Sequence, residues 1–251
     1  RLEGRNDQLD LGTVLEGASD PEAALAALVK FREGDWADPS RQLLGEAQEQ
    51  WLAEGLAAST ARGATWQVLA QQVLMGNLRS PAALAEQAGG SLPDFIRQRM
   101  MAAAMASRVG LPLNMDAWDG YEYERDQVLA LARDLGSKLV VLAGDTHNAW
   151  NTQLTTPDGG LAGVEFGCAS VSSPGLEGFL GAGNAALFAP LISTLIDDLK
   201  DANLSNRGYL ELTLTPDEVT AVHRFVNTVQ DVEYAIDDAL TKEFVVSRDD
   251  M

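Results

Sequence analysis

Several features that would place a protein in a specialised class are missing from this sequence. Cys168 is its single cysteine, so no internal disulfide can form and cysteine usage does not indicate a redox compartment. No apolar run approaches the length of a membrane span. Lys and Arg number 18 against 37 Asp and Glu, and the formal charge of −19 disfavours nucleic acid and anionic membranes as surface partners. No repeat, low-complexity linker or domain boundary interrupts the 251 residues, so we expect one α/β domain or part of one.

The apolar periodicity predicts helices and strands along the whole chain. Asp20 and Pro21 suit the N-cap and first position of a helix over Pro21–Phe31. Residues 43–58 form a predicted amphipathic helix packed by Trp51, and residues 184–199 form one with Leu187, Leu191 and Leu195 on a common stripe. We also predict strands or bent strands over 65–75, helices after Ser80, after Ser91 and up to Leu135, a strand over 139–143, a hairpin over 153–166 and strands at 207–214, 219–229 and 243–246.

The most informative stretch is residues 138–151, where an apolar run stops at Gly144 and is followed by Asp145 and His147. Open α/β sheets place their sites at the carboxyl ends of such buried strands. In extended chain the two side chains would leave on the same side, and a carboxylate beside an imidazole suits a divalent or trivalent metal. The second nitrogen of the histidine would then need an orienting partner, for which Asn148 and a backbone carbonyl are both candidates. The alternative is an ordinary hydrogen-bonded turn.

Residues 113–125 offer a second set of candidate site residues. The polar and aromatic side chains that could line a pocket are Asn114, Asp116, Trp118, Asp119, Tyr121 and Arg125. In the competing interpretation the two aromatic rings pack in the core and one of the aspartates caps the following helix. The arginine either neutralises a phosphate or pairs with Glu122 or Asp126 on its own helix.

A serine nucleophile is disfavoured. Ser172 and Ser173 precede Pro174, but the sequence lacks a Gly-x-Ser-x-Gly elbow. The second histidine of the chain, His223, lies in an alternating strand and is predicted to sit on a sheet face. We therefore interpret residues 169–175 as a structural loop.

Several segments, in the same order, resemble the carboxyl-terminal part of PhoD-type alkaline phosphatases, a branch of the calcineurin-like metallophosphoesterases. The strongest pair is WDGY at 118–121 with GDTH at 144–147. The remaining matches are LLG at 43–45 with Gln48, Trp51 and Leu52, then WQVL at 66–69, Arg125, SVSSPG at 170–175 and RGY at 207–209. Together they extend over roughly residues 1 to 230.

The resemblance implies a sandwich of two mixed β-sheets flanked by helices, and hydrolysis of phosphate monoesters and often diesters. It implies a multinuclear metal site, usually iron with calcium, with manganese or zinc as alternatives. Asp145 and His147 would be metal ligands or phosphate contacts and, with Arg125, catalytic residues. Asn114, Trp118, Asp119 and Tyr121 are then the expected substrate-binding residues, for a phosphorylated small molecule. Proteins of this type are commonly exported, so the periplasm or the exterior is the expected location.

The earlier metal ligands of the family are absent from the chain, which begins at Arg1. Those ligands are an Asp beside a Cys, a Gly-Asp and an Asn-Asp-His-Asp-like segment, and Cys168 lies too late to replace the missing cysteine. We therefore expect residues 1–251 to be the carboxyl-terminal part of the domain, inactive alone, with the full-length protein being the enzyme. The alternative is a non-catalytic interaction domain that keeps half of the fold and uses its acidic surface or a cluster of Met100, Met101 and Met105.

Overall fold

The computed structural model describes residues 20–78, 102, 104–112, 114–229 and 231–251. The helices predicted after Ser80 and Ser91 lie almost wholly outside these ranges, as do Met100 and Met101, whereas residues 104–108 are helical. None of the helices in the described ranges has both the length and the apolar character that crossing a membrane would require.

The described part of the chain contains five bounded helices and eight strands, and it ends in four consecutive strands and a single turn. The helices are α1 (Pro21–Phe31), α2 (Glu46–Ala61), α3 (Glu122–Asp134), α4 (Glu177–Leu180) and α5 (Ala182–Leu195), with single turns at Arg32–Trp36, Trp118–Tyr121 and Arg248–Asp250. The strands are β1 (Gln67–Gln71), β2 (Leu139–Ala143), β3 (Ala149–Thr155), β4 (Leu161–Gly167), β5 (Leu199–Asn203), β6 (Gly208–Leu214), β7 (Glu218–Phe225) and β8 (Lys242–Ser247).

A mixed five-stranded sheet with the order β1-β2-β4-β3-β5 forms the centre of the fold. Strands β1, β2 and β4 are parallel, whereas β3 runs antiparallel to β4 and β5. The apolar sequence of β2 suits its central position, because Leu139, Val140 and Val141 are fully buried. The carboxyl ends of the three parallel strands therefore meet at one edge of the sheet.

The second sheet is antiparallel, with the order β6-β7-β8. It packs on the large sheet through one apolar cluster, in which Val140, Val164 and Phe166 meet Val219 and Ala221. The two sheets and their flanking helices confirm the expected α/β architecture. The predicted hairpin is present as β3 and β4, although β3 begins at Ala149 rather than at residue 153.

The capping prediction for α1 is confirmed. Asp20 Oδ1 accepts a hydrogen bond from Ala23 N at 2.9 Å, and Pro21 occupies the first turn. The predicted strand pair over 65–75 is only partly correct, because the structure has a strand over Gln67–Gln71 and an irregular segment after it.

One predicted helix face is only partly correct and another is wrong. On α2 the buried side chains are Leu52 and Leu56, which belong to the predicted apolar face, but Trp51 is 70% exposed and does not pack the helix. On α5, Leu187 is 73% exposed, and the buried side chains are Ala185, Ala189 and Ile192. These small alanines pack in the apolar cluster that includes Trp150 and Leu199 of the sheet.

Candidate active site at the carboxyl ends of the parallel strands

The Gly144–His147 segment, which we call the GDTH loop, turns directly after β2. The amides of Gly144 and Asp145 both donate to Gln72 O, at 3.1 and 2.9 Å, and His147 N donates to Gly144 O at 3.4 Å. The extended geometry considered from the sequence is therefore wrong for this loop. Because Gln72 follows β1, the loop is attached to two neighbouring strand ends, and the carboxylate of Asp145 is exposed there.

His147 is held in a strained and oriented position. Its φ of 58° lies in the left-handed region, and no other non-glycine residue in the described ranges has a positive φ. Its Nδ1 lies 2.9 Å from Pro174 O, so a backbone carbonyl is the orienting partner among the two candidates. This contact assigns the proton to Nδ1 and leaves the lone pair on Nε2, which is the arrangement of a metal-binding histidine.

The loop that supplies the Pro174 carbonyl is itself anchored. Asn148 is fully buried, and its Oδ1 accepts from Leu176 N at 3.0 Å. Gly175 has no room for a side chain, because an added Cβ would lie 2.6 Å from Asn148 Nδ2. Beyond it, Glu177 accepts from Gly175 N at 3.2 Å and from Arg207 Nη1 at 2.9 Å. Residues 169–175 thus form a loop, as predicted, and the absence of a serine nucleophile stays a prediction.

A cleft of about 680 Å³ adjoins the GDTH loop and reaches Asp145. Trp118 and Tyr121, two of the predicted substrate-binding residues, contribute to its walls, whereas Asn114 and Asp119 do not. Trp118 is 1% exposed, and its Nε1 donates to Gln71 Oε1 at 3.3 Å. The other side chains around the cleft come mainly from residues 35–52 and 69–73, together with Asp116.

The arginine of the 113–125 segment is engaged by carboxylates. Arg125 Nη1 lies 2.7 Å from Asp119 Oδ1, with both side chains less than a tenth exposed, and it also contacts Asp126 and Glu122. Asp119 does not cap α3 but accepts from Leu78 N at 2.9 Å. The pairing alternative for Arg125 is therefore the one observed, and its catalytic role stays a prediction.

Glu165 is a structurally important residue that the sequence reasoning missed. It is fully buried in β4, where its two carboxylate oxygens accept from Met75 N and Gly76 N at 2.7 and 2.8 Å. Burial raises the pKa of this carboxyl group to about 7. The signal was present, because Glu165 is a lone charge within an otherwise apolar strand.

The described part of the chain offers few side chains that could bind a metal ion. In the described ranges, no group of three or more His, Cys, Asp or Glu side chains is arranged to hold a metal ion. His223 is 2% exposed in β7, where its ring lies 6.3 Å from that of Phe225 and 5.9 Å from that of Phe244. His223 is therefore a buried histidine of the small sheet, as predicted, and not a candidate metal ligand. The candidate ligands that remain are the two predicted from the sequence, Asp145 and His147.

Comparison with known proteins is consistent with these observations. Alkaline phosphatase D from Bacillus subtilis (strain 168) is 28% identical over 215 residues, which cover 84% of this chain and 31% of that protein. A solved structure described as "Structure of PhoD" matches with a TM-score of 0.58 and 23% identity, covering 84% of this chain and 35% of that one. The chain thus spans about a third of the length of both proteins. A family model for PhoD-like phosphatases matches residues 12–223, and the chain belongs to that family.

Proposed function

We propose that this chain forms the carboxyl-terminal part of a metal-dependent hydrolase of phosphate mono- or diesters. The observation that carries the proposal is the GDTH loop, which presents His147 at the carboxyl ends of the parallel strands with Nδ1 fixed by Pro174 O at 2.9 Å. A strained, oriented imidazole at this edge of an α/β sheet is more typical of a ligand than of a structural turn.

The residues present fit a metal site in part. Asp145 offers an exposed carboxylate and His147 the lone pair of Nε2, which suit iron and calcium, with manganese or zinc as alternatives. When bound, such ions would hold the ester oxygens and lower the pKa of a coordinated water. They would also offset the formal charge of −19, which otherwise repels a phosphorylated substrate.

The roles of this chain's own residues are binding and orientation. Asn148, Gly175 and Pro174 fix the direction of the imidazole, and the cleft beside Asp145 would hold the substrate, a phosphorylated small molecule. Two ligands are too few for a multinuclear site, so we assign activity to the complete protein rather than to residues 1–251 alone. We also propose a periplasmic or secreted location, which has its support in the family resemblance.

The alternative is a non-catalytic interaction domain that keeps half of the fold and uses its acidic surface or a methionine cluster. Met105 is half-buried and packs against the cluster that contains Leu28 and Phe31, while Met100 and Met101 lie outside the described residues. Among the described residues the methionine cluster therefore gives this alternative no support.

The test is a hydrolysis assay on the complete gene product, using p-nitrophenyl phosphate and bis(p-nitrophenyl) phosphate in the presence of iron, calcium, manganese or zinc. His147→Ala should lower kcat/KM by more than the roughly 10- to 100-fold that loss of a supporting hydrogen bond costs at a metal site. His223→Leu is the matched control and should retain activity, because that histidine is buried in the small sheet. Absence of hydrolysis with every metal, or full activity of the His147→Ala enzyme, would refute the proposal.

A further inference from the structure

Arg41 is buried in the wall of the cleft without a complete set of hydrogen-bond partners. Arg41 is only 7% exposed, and its Cζ lies 4.7 Å from the centre of the Tyr121 ring. Nη1 donates to Trp36 O at 3.2 Å, whereas Nη2 is buried and has no hydrogen-bond acceptor in the described part of the chain.

The contacts of the guanidinium define what it can still bind. Stacking on Tyr121 uses one face of the planar group, and the Trp36 carbonyl uses part of its edge. Burial lowers the pKa of Arg41, but an arginine remains charged at any ordinary pH. A buried cationic N–H without an acceptor is costly, so an incoming oxygen at this wall of the cleft would gain a charge-assisted hydrogen bond.

The cleft that contains Arg41 is also lined by four aspartates, which affects the binding of an anion. Asp35, Asp38, Asp116 and Asp145 line the same cleft, so a bare anion meets repulsion as well as attraction. A cation bound beside Asp145 would reduce this repulsion. The cleft is therefore suited to an anionic group that arrives together with a metal ion.

We propose that Arg41 is a binding residue for an oxyanion of the substrate, a phosphate or carboxylate group, in the cleft beside Asp145. This proposal rests on the proposed function for the identity of its ligand, but the binding event is measurable without catalysis. It adds to the GDTH loop a positively charged contact that the sequence analysis did not identify, because Arg41 lies in a loop just before the LLG match and is not itself part of a motif.

The experiment is a titration of the complete gene product with inorganic phosphate at constant ionic strength, with and without manganese, followed by thermal unfolding. Phosphate that binds only the folded state stabilises it by RT ln(1 + c/Kd) at a free phosphate concentration c, so Tm keeps rising with phosphate concentration above the Kd. We expect a concentration-dependent rise for the parent, larger with manganese. Arg41→Gln should weaken phosphate binding at least about tenfold, which corresponds to about 1.4 kcal/mol.

Two further variants serve as a control for charge removal and as a replacement if Arg41→Gln does not fold. Arg133→Gln removes a guanidinium that pairs with Asp158 outside the cleft, and its phosphate response should equal that of the parent. If Arg41→Gln does not fold, Arg41→Lys carries the test, since lysine keeps the charge but loses the planar fork. Titration with malonate then separates a carboxylate preference from a phosphate preference.

The proposal is overturned if the parent shows no phosphate-dependent rise in either condition, or if the Arg41 variants respond as the parent does. Either result would leave the hydrolysis assay unaffected, so failure of this inference is distinguishable from failure of the proposed function.

Discussion

Replacing His223 with leucine should remove a pH-dependent part of the stability of this protein. The ring is 2% exposed between Phe225 and Phe244, and neither of its nitrogens has a hydrogen-bond partner among the described residues. Burial, with a smaller contribution from Lys242, lowers the pKa of His223 from 6.5 to about 4. The folded state therefore disfavours the charged imidazole.

The sign and size of the effect follow from these two pKa values. Between about pH 4 and pH 6.5 the unfolded chain binds a proton that folded His223 does not, so the free energy of unfolding falls as the pH falls. At about 1.36 kcal/mol per pKa unit, the contribution present above pH 6.5 and lost below pH 4 is about 3 kcal/mol. His223→Leu should lack this loss. At neutral pH it should be no less stable than the parent, because an unsatisfied buried polar ring is replaced by an apolar side chain of similar size.

The assay is urea denaturation of parent and variant at a series of pH values from 4 to 7.5. The difference between the two curves isolates His223, because every other titrating group is common to both proteins. The difference should change by up to about 1.4 kcal/mol per pH unit within the window. Parallel curves for the two proteins would refute the reasoning.

Three further predictions concern the supports of the site. In the parent, the free energy of unfolding should fall as the pH rises from 4.5 to about 7, because the raised pKa makes folded Glu165 hold a proton that the unfolded chain releases. Glu165→Gln should remove this decrease, which a pH series of urea denaturation measures. Gly175→Ala should cost about 1 to 3 kcal/mol through its clash with Asn148 and should also weaken metal binding by the complete protein; unchanged metal affinity would show that the loop does not orient the imidazole. Asp119→Asn should cost about 3 kcal/mol in thermal or urea unfolding, since it removes one carboxylate from the buried Arg125, and a loss below 0.5 kcal/mol would contradict this account.

The elements that the sequence predicted well have local causes. Strand β2 is a β-branched, charge-free run ended by glycine, and α1 carries its own cap at Asp20. The hairpin of β3 and β4 has turn residues at 157–160. Each of these signals lies within a few residues of the element it specifies.

The elements that the sequence predicted poorly depend on tertiary contacts. Leucine periodicity selected the wrong face of α5, because close packing against the sheet required Ala185 and Ala189 rather than the larger Leu187. The exposure of Trp51 follows from the cleft that it borders. The orientation of His147 depends on Pro174, a residue 27 positions away, which the spacing within the GDTH loop could not indicate.

The most direct test of the central claim is the metal content of the complete gene product after purification with iron and calcium, measured by elemental analysis beside the His147→Ala and His223→Leu variants. The account predicts bound metal in the parent, loss of at least one ion in His147→Ala, and no loss in His223→Leu. Equal metal content in the parent and in His147→Ala, or no metal in the parent, would contradict the assignment of the GDTH loop as a metal-binding part of the site.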